Sequence, residues 1–187
     1  MKAAAFSIIC ALIIFLQSCI KNTSLPKSNL PNGDFEGWTT SDRLEQWKTN
    51  SCPECFSAIN QYVVQKTTEA YHGLYAAKLL YNGVYRAEAY NTFAVTTHPQ
   101  ALNGYVKCTL STGDTVFIKV QVFSQNRVVD SGLWTGTVSI PDYQHITVPV
   151  TQSSASADSV MVAIRGGNKT DGPGNGSVFW VDYFCIR

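Results

Sequence analysis

Apolar positions along this chain recur with a period of two, and no segment sustains the period of a long helix. Val116, Ile118, Val120 and Val122 alternate with Phe117, Lys119, Gln121 and Phe123, as in a strand with one face in a core and the other in water. Val160, Val162 and Ile164 repeat the pattern, and His145 to Val150 follows it more loosely. Turn signals separate the runs at Asn82-Gly83, Asn103-Gly104, Thr112-Gly113-Asp114, Pro141-Asp142 and the loop from Gly166 to Gly176. Many short strands at regular spacing predict an all-β fold, a two-sheet antiparallel β-sandwich or jelly roll.

The last stretch breaks the alternation. From Val178 to Ile186 every residue except Asp182 is apolar or aromatic, which reads as a strand buried on both faces. A carboxylate in its middle is costly to bury unless paired, protonated or bound to a metal. A second acidic cluster, Asn32-Gly-Asp-Phe-Glu-Gly-Trp38, lies near the other end. If Glu36 and Asp182 meet, their like charges call for a cation between them, and an all-oxygen site favours calcium. Main-chain carbonyls from around Asp34 and from the Tyr71-His72-Gly73 turn would complete such a site, since Gly73 lets the backbone approach closely. The alternative is that Asp182 pairs with Lys78, Lys107 or Arg187, or caps backbone amides.

Three motifs in this order, Asn-Gly-Asp-Phe-Glu-Gly-Trp38, Tyr71-His-Gly-Leu-Tyr-Ala-Ala-Lys-Leu79 and Trp180-Val-Asp-Tyr-Phe184, resemble the galactose-binding-like jelly roll of carbohydrate-binding modules. The resemblance runs from about Leu30 to Arg187. The middle section, from Tyr85-Arg-Ala-Glu-Ala-Tyr-Asn-Thr-Phe93 to Ala157-Asp-Ser-Val-Met-Val162, is similar to carbohydrate-metabolism domains of Bacteroidetes lipoproteins. The implied function is non-catalytic glycan binding in polysaccharide capture or use. The rival is a protein-interaction, structural or adhesin lipoprotein that presents the same sandwich to an envelope protein.

Residues 1–18 read as a lipoprotein signal peptide, with Lys2 before an apolar run too short to span a bilayer. It ends in Leu16-Gln17-Ser18-Cys19, which resembles the bacterial lipobox and implies lipidation of Cys19 and attachment to a membrane of the cell envelope, expected to be the outer membrane. Residues 19–29 are polar and read as a flexible tether, and residues 30–187 form the single predicted domain. The tether's lysines, Lys21 and Lys27, stand where surface-displayed lipoproteins of that group carry acidic residues. A net charge of +1 and the absence of a basic stripe with interleaved aromatics exclude nucleic acid as the expected partner.

Candidate chemistry is sparse. Cys52-Pro-Glu-Cys55 reads as a disulfide in an exported chain, because neither a strand–helix context nor further zinc ligands accompany it. Cys108 and Cys185 fall in predicted strands, as a second bridge or as two buried thiols. The glycine-rich loop before Val178 leads into a strand, so it is expected to be a mobile connection rather than a phosphate cradle. None of His72, His98 and His145 adjoins a nucleophile motif, and no enzyme activity is expected. Trp38 and Trp180 are expected to pack inside. Trp47, Tyr85 and Trp134, amid polar or turn-rich residues, are the candidate sugar-stacking platforms, with Arg86 and Asn91 as hydroxyl partners. Ordinary packing inside the sandwich is the competing assignment for each.

Overall fold

The computed structural model describes residues 25, 27–51, 63–81, 86–151, 156–167 and 176–187. Its strands are β1 (Lys48–Thr49), β2 (Val64–Thr67), β3 (Ala76–Leu80), β4 (Ala87–Ala94), β5 (Ala101–Thr109), β6 (Val116–Ser124), β7 (Arg127–Gly136), β8 (Ile140–Pro149), β9 (Ser159–Gly166) and β10 (Val178–Ile186). No helix occurs among the described residues. The strands form two five-stranded antiparallel sheets, ordered β1-β4-β9-β6-β7 and β2-β3-β10-β5-β8. This is the all-β sandwich that the alternation predicts. The segment 1–18, Cys19, Cys52, Cys55, Tyr85 and most of the Gly166 to Gly176 loop lie outside the described residues.

The core is built by parity. In β6 the inward Val116, Ile118, Val120 and Val122 are fully buried, while Phe117, Lys119 and Gln121 turn outward. Val160, Val162 and Ile164 do the same in β9, and Leu79, Val106, Phe179 and Val181 meet them from the other sheet. Full burial of each such side chain stabilises the fold by about 1.5–3 kcal/mol.

β10 lacks alternation because both of its faces are covered. It lies at the centre of its sheet, between β3 and β5. Phe179 and Val181 point into the core. On the outer side Trp180 stands opposite Lys78 and Lys107, whose ammonium groups lie 5.5 and 4.9 Å from its ring. Residues 68–75 then cross the outer side. Tyr71 stacks on Tyr105 with ring centroids 3.5 Å apart, the Tyr143 hydroxyl donates to the Glu69 carbonyl at 2.8 Å, and Lys107 pairs with the Glu69 carboxylate. Trp180 is thus buried, as expected, but under this outer cover instead of in the core between the sheets.

Past Asp182 the register of β10 slips against β5, with Tyr183 at φ 49°. This bulge turns Phe184 inward against Phe35. It also frees the main chain to pair with the N-terminal segment. Phe184 N–H donates to the Gly33 carbonyl at 2.6 Å. The Asn29 side chain bonds both to the N–H and to the carbonyl of Ile186, at 2.8 and 2.7 Å. The two ends of the domain are therefore held side by side, which sets Glu36 near Asp182.

Of the two readings left open for Cys108 and Cys185, the structure has two free thiols. Cys108 stands opposite Phe179 and Cys185 opposite Asn103. At about 3.4 Å per residue, this separation along β5 exceeds the reach of a disulfide.

Candidate functional site

Phe35 is anchored between Trp47 and Phe184, and the next residue, Glu36, reaches the turn after β2. Its Oε1 accepts the Leu74 and Tyr75 amides at 2.7 and 3.1 Å. Asp182 Oδ2 accepts the Tyr71 and His72 amides at 2.7 and 2.9 Å. Gly73 lies between these pairs at φ 69°, and a Cβ there would collide with Glu36 Oε1. One short turn therefore presents four N–H groups to two carboxylates. Asp182 is fully buried and its Oδ1 has no hydrogen-bond partner. Burial raises its pKa to about 7; the amides of His72, Tyr71 and Tyr183 pull it down, and the Glu36 charge adds to the rise.

The amide-capping alternative thus describes Oδ2, and Oδ1 is left over. The turn meets the acids through its amides, where carbonyl oxygens of Tyr71 and Gly73 were expected. Asp34 is half-buried and lines a separate depression of about 270 Å³ with Lys27, Asn29 and Gln46. Among the described residues no three His, Cys, Asp or Glu side chains group in a way that could hold a metal. A cation here would rest on two carboxylates completed by main-chain oxygens or water. The orphaned Oδ1 is the one feature of this site that a hard cation such as calcium would satisfy.

The expected stacking platforms are corrected. Trp47 is 6 % exposed and belongs to the core, its Nε1 donating to the Asn32 carbonyl. Trp134 faces inward opposite Ile118 and stacks on Phe179 at 6.0 Å with an interplanar angle of 11°. Asn91 is buried and donates to the Pro31 carbonyl at 2.9 Å. Trp47 and Asn91 are thus buried away from any ligand, and the partly buried Trp134 turns its ring toward the core instead of standing as an exposed platform. Arg86 is accessible, with its Nε 3.4 Å from Glu88 Oε1.

Parity brings a different set together on the outer face of the β1-β4-β9-β6-β7 sheet. In β4 the inward residues are Ala87, Ala89 and Asn91, so Glu88, Tyr90 and Thr92 point out. Tyr90 is 40 % exposed, with Lys48 Nζ 5.9 Å from its ring centroid. One register row runs Lys48, Tyr90, Ala163, Lys119, Leu133, and the next runs Glu88, Arg165, Phe117, Thr135. The small Ala163 leaves a depression of about 220 Å³, lined by Tyr90, Met161, Glu88 and Arg165. Arg165 Nε is 3.0 Å from Glu88 Oε1, and its guanidinium lies 5.4 Å from the Phe117 ring. Tyr90 lies in the Tyr85 to Phe93 motif, where its alternation with the small inward Ala89 and Asn91 is only a weak sequence signal.

No protein-family model matches the chain, and no curated protein matches its sequence. Solved structures do. The carbohydrate-binding module TmCBM61, solved with β-1,4-galactotriose, is 11 % identical with a TM-score of 0.57, over 87 % of this chain and 99 % of that one. A structure of carbohydrate-binding modules of the β-sandwich superfamily, described for promiscuous specificity, is 15 % identical with a TM-score of 0.55, over 88 % and 64 % of the two chains. The fold is that of a carbohydrate-binding-module jelly roll. The same sandwich occurs within the arabinose-bound α-L-arabinofuranosidase MgGH51, at 12 % identity and a TM-score of 0.51, where it covers 88 % of this chain and 27 % of that one.

The two outer faces of this jelly roll differ in what they leave open. On the β2-β3-β10-β5-β8 sheet, residues 68–75 and the lysines at Trp180 occupy the middle. On the other sheet an aromatic ring, a carboxylate and a guanidinium surround the depression at Ala163.

Proposed function

We propose that this protein binds glycans without cleaving them, through the outer face of the β1-β4-β9-β6-β7 sheet. The observation that carries the reading is Tyr90, an exposed ring beside the Ala163 depression with Glu88 and Arg165 at its edge. A pyranose presents an apolar C–H face suited to such a ring and hydroxyls suited to the charged pair. The sugar ligands of the structural neighbours support the class of ligand. Hydrolysis by paired carboxylates needs two acids on the face. The outward positions of β4, β9, β6 and β7 carry one, Glu88. The test is a glycan array on the full-length protein, followed by Tyr90→Ala. The variant should lose roughly tenfold to a hundredfold in affinity with its melting temperature held. Failure of the wild type to bind any saccharide would overturn the reading.

In this reading calcium is a structural cofactor. Asp182 Oδ1 and Glu36 would hold it; bound there, it would neutralise two carboxylates and fix the 71–75 turn to the domain's ends. The site lies with the opposite sheet, so the metal would not touch the sugar. The apolar run before Leu16-Gln-Ser-Cys19 supports a lipid anchor on Cys19 and a place in the cell envelope, where the tether would hold the domain off the outer membrane for polysaccharide capture.

A further inference from the structure

We infer that the glycan taken by this face is acidic, bearing uronate carboxylates. The inference rests on the glycan-binding reading above and adds the class of ligand. Lys48, Lys119 and Arg165 point outward from β1, β6 and β9, and Arg86 adjoins Glu88. Among the described residues of these strands four cations thus face one carboxylate, on a chain whose net charge is only +1. The excess is a property of this face and not of the protein as a whole. A neutral sugar gives these cations hydroxyl dipoles; a carboxylate gives them charge-assisted hydrogen bonds, which are shorter and roughly twice as strong.

The geometry suits a carboxylate. Glu88 Oε1 pairs with Arg165 at Nε, 3.0 Å away, and also lies 3.4 Å from Arg86 Nε. Phe117 lies against the Arg165 guanidinium. The ion pair and the Phe117 ring therefore restrain the fork on two sides before a ligand arrives. A fixed guanidinium edge matches a planar carboxylate bidentately, and its pre-ordering lowers the entropic cost of binding. Across the depression, Lys119 lies two strands from Tyr90, roughly 10 Å at the spacing of neighbouring strands. That span admits one sugar ring over Ala163, its face on Tyr90 and its carboxylate between Arg165 and Lys119. Lys119 has no carboxylate partner among the described residues.

The test titrates full-length protein with oligouronides of three backbones, galacturonate, glucuronate-substituted xylan and mannuronate/guluronate. Each is paired with its carboxyl-reduced counterpart, which keeps the ring stereochemistry and removes the charge. Dextran sulfate reports on unspecific polyanion binding. At least one oligouronide should bind at least tenfold more tightly than its reduced partner, and Arg165→Gln should erase most of that gap, as should Lys119→Gln if the first variant folds poorly. Equal binding of an oligouronide and its reduced form, or binding of neutral glycans alone, overturns the acidic assignment and leaves glycan binding standing. Dextran sulfate binding as tight as the best oligouronide, with the same loss in Arg165→Gln, reduces the effect to charge and also overturns it. Binding to no saccharide overturns the reading of the face itself.

Discussion

Asp182 gives the sharpest prediction, because its two oxygens are treated so differently. With metal chelated, the folded chain must hold this buried carboxylate with Oδ1 unpartnered. Burial lifts the pKa from 3.8 to about 7. A raised acid pKa means that the folded state keeps its proton longer than the unfolded chain. Stability from this group is therefore fully present below about pH 4 and is lost as pH rises through about 7. At about 1.4 kcal/mol per pH unit, the full loss is about 4 kcal/mol, equivalent to a fall of about 10 °C in melting temperature for a domain of this size. Asp182→Asn keeps an oxygen to accept the Tyr71 and His72 amides but cannot ionise. The difference between wild-type and Asp182→Asn melting curves, recorded in chelator from pH 4 to 8, isolates the effect from every other titrating group. Calcium added at pH 8 should then raise the wild type, since it binds only the folded state, and should leave Asp182→Asn unmoved. Parallel curves in chelator would refute the orphaned charge. A wild type indifferent to calcium would refute the cation.

Trp134→Ala should cost about 3 kcal/mol in urea denaturation, because the ring fills space against Phe179 and Ile118; glycan affinity of the folded variant should be unchanged. Gly73→Ala should destabilise by at least about 2 kcal/mol, from the positive φ and from displacement of Glu36 off the Leu74 and Tyr75 amides. A neutral result in thermal melts would mean that the turn is not held as described. Cys19→Ser should abolish metabolic fatty-acid labelling and release the protein from membranes, and retained label would count against the lipid anchor.

How much of this could be read in advance depended on parity. β6 and β9 were legible because Val116, Ile118, Val120 and Val122 in one and Val160, Val162 and Ile164 in the other are β-branched and inward, so one register alone buries them. The two-sided burial of β10 was legible for the same reason, though not the identity of the outer cover, residues 68–75. Those residues look polar and turn-like, and their part in the cover is played by backbone amides that meet Glu36 and Asp182 and leave no side-chain pattern. The aromatic assignments failed where neighbours mislead. Gln46 and Lys48 make Trp47 look exposed, yet β1 is a two-residue edge strand and Trp47 turns back onto Phe35. In Asp130 to Gly136 the glycines suggest a turn, whereas β7 continues through them, leaving Leu133 62 % exposed and Trp134 partly buried against the core. Hydrophobicity alone would have chosen the reverse. Tyr90 was hidden because alanines mark the inward positions of β4, and alanine signals burial weakly.

The two faces are tied to opposite demands by what each centre strand carries. A carboxylate at the middle of β10 has to be covered, and the cover uses the 71–75 turn and the N-terminal segment together. That outer face therefore serves stability. At the middle of the other sheet stands Ala163, a residue too small to need covering, between outward neighbours that are charged or aromatic. Changes at Tyr90, Lys119 or Arg165 remove little from the core, since their inward neighbours Ala89, Ile118, Val120 and Ile164 keep their packing. In the proposed reading such positions would alter ligand choice while the fold holds.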